Sequence, residues 1–188
     1  MNFCKKITIM LSIMCFICFY SNNASCNSIS KYNTSEIHNM LKSFSQSDEI
    51  GKFYCSPIIT YEKGEKGEID EAFLIKFGEQ NIVAMFKKGE NNSITKLILT
   101  SNNNNFNERE NFGKIIGCVL YLIGVRRNDM DASYKTIVAI HGASERQIWN
   151  SEMKKYLSFM VITKNEEGKK VMYVIIKENK AEIRKGIF

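Results

Sequence analysis

Few residues in this chain are of a type and spacing that could activate a nucleophile or a water molecule. Its two histidines are His38 and His141. Gly142-Ala143-Ser144-Glu145-Arg146 opens like the elbow that presents a catalytic serine between a strand and a helix. Arg146 stands where the closing glycine belongs, and no strand clearly precedes the segment. His141 is close enough in sequence to serve Ser144 as a base, although groups so near in one loop rarely align for proton transfer. His38 falls on the polar side of a helix and reads as solvated. Chemistry of the serine–histidine kind has little to stand on.

Metal and cofactor chemistry is no better supplied. Glu68, Asp70 and Glu71 could gather around a cation, or simply form a solvated loop in a lysine-rich chain. Beyond residue 25 the cysteines Cys26, Cys55 and Cys118 lack paired spacing, and two histidines cannot complete a metal triad. No glycine-rich phosphate loop is present. Trp149, the single tryptophan, sits among polar residues before a strand and reads either as a packing anchor or as a recognition residue. We assign no catalytic, cofactor-binding or metal-ligating residue from the sequence.

The first residues read as an address. Lys5 and Lys6 form a basic region, and Ile7 to Tyr20 is uncharged and apolar, followed by small and polar residues to Cys26. This is the pattern of a secretory signal peptide over residues 1–25, cleaved after Ala24, Ser25 or Cys26. Asn23-Ala24-Ser25-Cys26 is similar to a bacterial lipobox, in which Cys26 would carry the lipid, although Asn23 replaces the usual aliphatic residue. Secretion without a lipid is the alternative. The formal charge of +6 includes Lys5 and Lys6, so the mature chain carries +4, too little and too dispersed for nucleic acid. Three of the six cysteines, Cys4, Cys15 and Cys18, leave with the signal. Cys55 and Cys118 can pair or remain free, and Cys118 in an apolar helix reads as a buried thiol.

The elements that would position any site follow from periodicity. Residues 26–188 have the length of one domain. Asn33 or Ser35 can cap a short helix whose apolar face is Ile37, Met40, Leu41 and Phe44. Strand patterns follow at Ile58–Tyr61, Ala72–Phe77, Ile82–Phe86 and Ile94–Thr100, with a charged loop from Glu62 to Glu68. A long helix comes next, capped by Asn107 with Glu110 reaching back. Its stripe is Phe112, Ile115, Ile116, Val119, Leu122 and Ile123, and Gly124 and Val125 close it. Gly113 and Gly117, four apart on one face, suit either a membrane-helix contact or close approach to a sheet. Ser133–His141 fits a helix or a strand, and Tyr156–Thr163 and Val171–Ile176 read as interior strands. The expected fold is α+β: one domain, an antiparallel sheet of about six strands, with the central and N-terminal helices on one face.

This order of elements is similar to that of many small exported bacterial domains and of type III secretion chaperones. The latter act in the cytosol, which an exported chain does not suit, and no motif supports either likeness. Two functional classes remain. One is an exported, non-catalytic binding or accessory protein acting through a sheet face or edge on another protein at or outside the cell surface, touching membrane only through a lipid on Cys26. The other is a small secreted hydrolase whose site is assembled from distant residues.

Overall fold

In a computed structural model of the chain, residues 28–45, 50–63, 68–102, 105–139 and 142–179 are described. The expected signal peptide, Cys26, His141 and residues 64–67 lie outside them.

Local chemistry sets the helix ends. Helix α1 (Thr34–Phe44) begins with a reciprocal capping box: Asn33 Oδ1 accepts the Glu36 N–H, and the Asn33 N–H donates to Glu36 Oε2 at 2.8 Å. Ile37 and Leu41 are fully buried, with Met40 and Phe44 packed beside them, as the periodicity requires. Helix α2 (Phe106–Leu122) is capped by Asn105, whose Oδ1 accepts the Glu108 N–H at 2.9 Å. The cap therefore falls two residues before the expected Asn107. In a run of asparagines every one is a competent cap, and the end of the preceding strand decides among them.

The far end of α2 follows the expectation closely. Gly124 has φ +88°, its N–H donates to the Tyr121 carbonyl, and the Val125 N–H donates to the Leu120 carbonyl. That is the paired closure of a Schellman motif, which needs a left-handed residue at the glycine. All six stripe residues of α2 are buried. Helix α3 (Arg127–Ala139) resolves the ambiguous segment as helix and packs along α2. A Cβ on Gly113 would lie 2.8 Å from the Tyr134 ring, whereas one on Gly117 would meet nothing within 4 Å. The close approach at Gly113 is thus to α3 and not to the sheet, and Gly117 has no such role.

Among the described residues eight strands form one antiparallel sheet, more than the six expected. They are β1 (Tyr54–Cys55), β2 (Ile59–Lys63), β3 (Glu68–Phe77), β4 (Gln80–Lys88), β5 (Ile94–Asn102), β6 (Ala143–Asn150), β7 (Lys155–Glu166) and β8 (Lys169–Glu178). Their order is β1-β3-β4-β5-β8-β7-β6, with β2 also on the outer edge of β3. The meander β3-β4-β5 and the interior placement of β7 and β8 agree with the pattern reading. Glu167 and Gly168, both at positive φ, make the two-residue turn between β7 and β8. Strands β1 and β6 escaped the sequence reading for different reasons. β1 is too short to show a period, and β6 (ASERQIWN) lies at an edge where only Ile148 and Asn150 are buried.

One face of the sheet carries the core. Phe73, Phe86, Leu97, Leu99, Val174 and Phe159 point toward the helices and are essentially inaccessible. Each such side chain withdrawn from water contributes about 1.5–3 kcal/mol. Asn150 is also fully buried there, and its amide is saturated: Nδ2 donates to the Ile29 and Ile123 carbonyls, and Oδ1 accepts the Glu152 and Met153 N–H groups. One side chain thereby fixes the N-terminal segment, the end of α2 and the β6–β7 turn. Buried polar groups are tolerable only when satisfied in this way.

Candidate functional site: the uncovered face of the sheet

The residues singled out for chemistry are dispersed by the fold. Gly142 to Arg146 runs into β6 and so does not turn into a helix, and Ser144 shares the inward face with Ile148. No described carboxylate or imidazole hydrogen-bonds to Ser144, and His141 lies outside the described residues. His38 is buried, not solvated. Its Nε2–H donates to the Ser56 carbonyl at 2.7 Å and its ring meets Phe73 edge-on at 4.7 Å. The chain breaks its ladder between β1 and β2, and His38 satisfies a carbonyl left over at that break.

The acidic cluster is split by the alternation of β3. Asp70 faces away from the helices, 4.0 Å from Lys87, while Glu71 faces inward and pairs with Lys88. Glu68 opens β3, and Glu62 and Lys63 belong to β2, so the ends of the expected charged loop lie in paired strands. No group of three potential metal ligands exists among the described residues. Cys55 and Cys118 are both free and buried, and burial pushes each thiol up to about 11. Such thiols are poor nucleophiles.

Two open clefts lie among the described residues. One, about 640 Å³, lies between Ser30–Asn33 and the Asn91–Ser93 turn. The other, about 470 Å³, lies at the start of α2 beside Gln80. Neither lining includes a histidine, a cysteine or an aspartate. Gln80 Nε2 donates to Ser101 Oγ and the Glu108 carbonyl, which ties the strand end to the helix.

Sequence reasoning named a sheet face or edge without its residues, and the structure shows which side chains form the face away from the helices. The packed helix contacts and the buried core lie on one side, so alternate side chains of β3 to β8 point to a side where no described helix packs. Register places Ile59, Ala72, Met85, Ile98, Ile175 and Met160 in one row across six strands. The adjacent row is Leu74, Val83, Thr100, Tyr173 and Ile162. Apart from Ala72 these side chains are half-buried or exposed, Ile59 to 54%. Together they form an apolar band perpendicular to the strands, about 24 Å long at about 4.8 Å per strand.

Charge borders the band on both sides. Lys87, Lys96 and Lys177 stand directly opposite one another on β4, β5 and β8. Like charges in such positions repel and lower sheet stability. Asp70 lies 4.0 Å from Lys87, and no described residue forms an ion pair with Lys96 or Lys177. On the far border lie Lys76 and Lys164, the latter 5.8 Å above the Tyr173 ring. The Tyr173 hydroxyl donates to Glu166, and that hydrogen bond, with burial next, raises its pKa above the ordinary tyrosine value. Trp149 sits at the β6 end of this face, edge-on to Tyr156 at 4.8 Å. Its backbone is held in turn: the Trp149 N–H donates to Asp129 Oδ2 and its carbonyl accepts the Arg126 N–H.

The missed signal was present in outline. Met85, Ile98 and Ile175 are apolar residues at positions alternating with core residues, and the strand of Ile175 reads as apolar on both faces. Only the register shows that they align, and that nothing among the described helices covers them. An aligned apolar band edged with cations can adsorb a complementary surface. No protein family, curated protein or solved structure matches this chain.

Proposed function

We propose that this chain is an exported, non-catalytic binding protein that holds another protein, at or outside the cell surface, against the uncovered face of its sheet. The observation that carries this reading is the alignment of Met85, Ile98, Ile175 and Met160 into a band bordered by Lys87, Lys96 and Lys177. Contiguous exposed apolar surface with a polar rim is the usual mark of an interaction site. Maintaining three opposed lysines costs stability, and a partner carrying carboxylates would offset that cost. Export rests on the basic and apolar regions of residues 1–25. No described helix is long and apolar enough to cross a membrane.

The test uses protein recovered after export, whose intact mass should lack residues 1–25. Photo-crosslinking side chains are placed at Ile98, on the uncovered face, or at Tyr121, exposed on α2. The expected outcome is a discrete protein adduct from Ile98 and none from Tyr121. Adducts from Tyr121 alone would contradict the reading. So would turnover of ester, peptide or glycoside substrates that disappears in Ser144→Ala, which would instead support a hydrolase.

A further inference from the structure

We infer that the occupant of the uncovered face is an amphipathic helix of a partner protein, with carboxylates along one edge of its apolar stripe. This inference rests on the reading of that face as a binding surface and adds the chemistry of what binds. The shape of the band selects the element. Two adjacent rows of side chains, about 7 Å apart, leave a strip about 24 Å long, the length of about 16 helical residues at 1.5 Å each. An extended strand would add to an edge through backbone hydrogen bonds, and the middle of a sheet face offers no free backbone group to pair with.

The lysines select the charge. Lys87, Lys96 and Lys177 follow one another at about 4.8 Å, a span of about 10 Å. Helix positions i, i+4 and i+7 cover about 10.5 Å on one side. Glutamates at those positions would meet the three lysines in order while the apolar stripe lies over Ile98 and Ile175. A second copy of this chain fits poorly. One border of the band is the lysine row, with Asp70 beside Lys87, and the other has Lys76 and Lys164 at its ends with Asn81, Asn102 and Val171 between them. Stacking two such faces sets the lysine row over itself in one orientation and over Asn81, Asn102 and Val171 in the other, so in neither do Lys87, Lys96 and Lys177 meet carboxylates. Helix-in-groove recognition with a charged margin gives specificity and a salt-dependent association.

The experiment uses two synthetic 16-residue helices with the same leucine stripe and no tyrosine or tryptophan. One carries glutamates at i, i+4 and i+7 beside the stripe, and the other lysines. Trp149, the only tryptophan and placed on this face, reports binding through its fluorescence. Vesicles of phosphatidylcholine with phosphatidylglycerol form a third arm. The glutamate peptide should bind about tenfold more tightly than the lysine peptide, as expected for three exposed charge pairs. Added salt should weaken that preference, and Lys96→Glu with Lys177→Glu should reverse it. Ile98→Glu should abolish binding of either peptide.

Equal binding of both peptides, or binding of neither, overturns the helical occupant. The face itself then still stands if the Ile98 crosslink persists, so the two failures are separable. Vesicle binding in place of peptide binding replaces the helix with an anionic lipid surface and overturns the inference as well. Peptide binding indifferent to Ile98→Glu places the peptide elsewhere on the molecule and overturns both.

Discussion

Cys55 and Cys118 show how burial decides what a side chain can do. Each thiol is raised from 9.0 to about 11, chiefly because the buried thiolate would be desolvated. A raised acid pKa means that the folded state holds the proton over a range where the unfolded chain releases it. The stabilisation from these neutral thiols is therefore complete below pH 9 and is lost as pH rises through 11. An alkylating reagent at pH 8 should modify both cysteines slowly in the native protein and quickly in urea. Equal rates in the two states would show that the thiols are accessible. The buried character of Cys118 was legible, since it sits within an apolar stripe. His38 was not: its helical position is polar by period, and only the ladder break at Ser56, distant in sequence, gives its ring a carbonyl to satisfy.

Elements were legible in proportion to how far local chemistry alone determined them. The cap at Asn33, the closure at Gly124 and Val125, and the stripe of α2 depend on residues within a turn of one another. The cap at Asn105 and the strand β6 depend on where neighbouring strands end and on which edge is covered, and these are tertiary facts. The two glycines of α2 separate the cases within one helix. Gly113→Ala would drive a Cβ to 2.8 Å from Tyr134, and wedging α2 from α3 should cost about 1–3 kcal/mol. Gly117→Ala meets open space and should stabilise by about 0.5–1 kcal/mol through helix propensity. Urea midpoints shifting in opposite directions would agree with this packing. A shared direction would mean that Gly113 does not set the helix spacing.

At the scale of the whole molecule, the α+β class and the siting of helices on one face were readable from the order of elements. The uncovered face was not, because lateral alignment depends on register, and register is set jointly by turns and by the opposite, buried side. Asn150, Phe159 and Ile176 hold the strands in that register from the helix side. The same constraint brings Lys87, Lys96 and Lys177 abreast. On the proposed reading the fold separates two tasks, with stability on the helix side and association on the other. The core side should respond accordingly: Ile116, fully buried on α2, should cost about 2–5 kcal/mol when cut to alanine, with no specific effect on association.

The most direct measurement takes stability and association on one variant. Ile98→Glu, made in protein with the photo-crosslinker at Ile175, alters the centre of the uncovered face and no core contact. Its urea midpoint should correspond to a loss of no more than about 1 kcal/mol, the range of a substitution on a solvated sheet face, while the protein adduct from position 175 disappears. A collapse in stability comparable to that of Ile116→Ala, or an adduct undiminished by the new charge, would contradict the assignment of this face to binding.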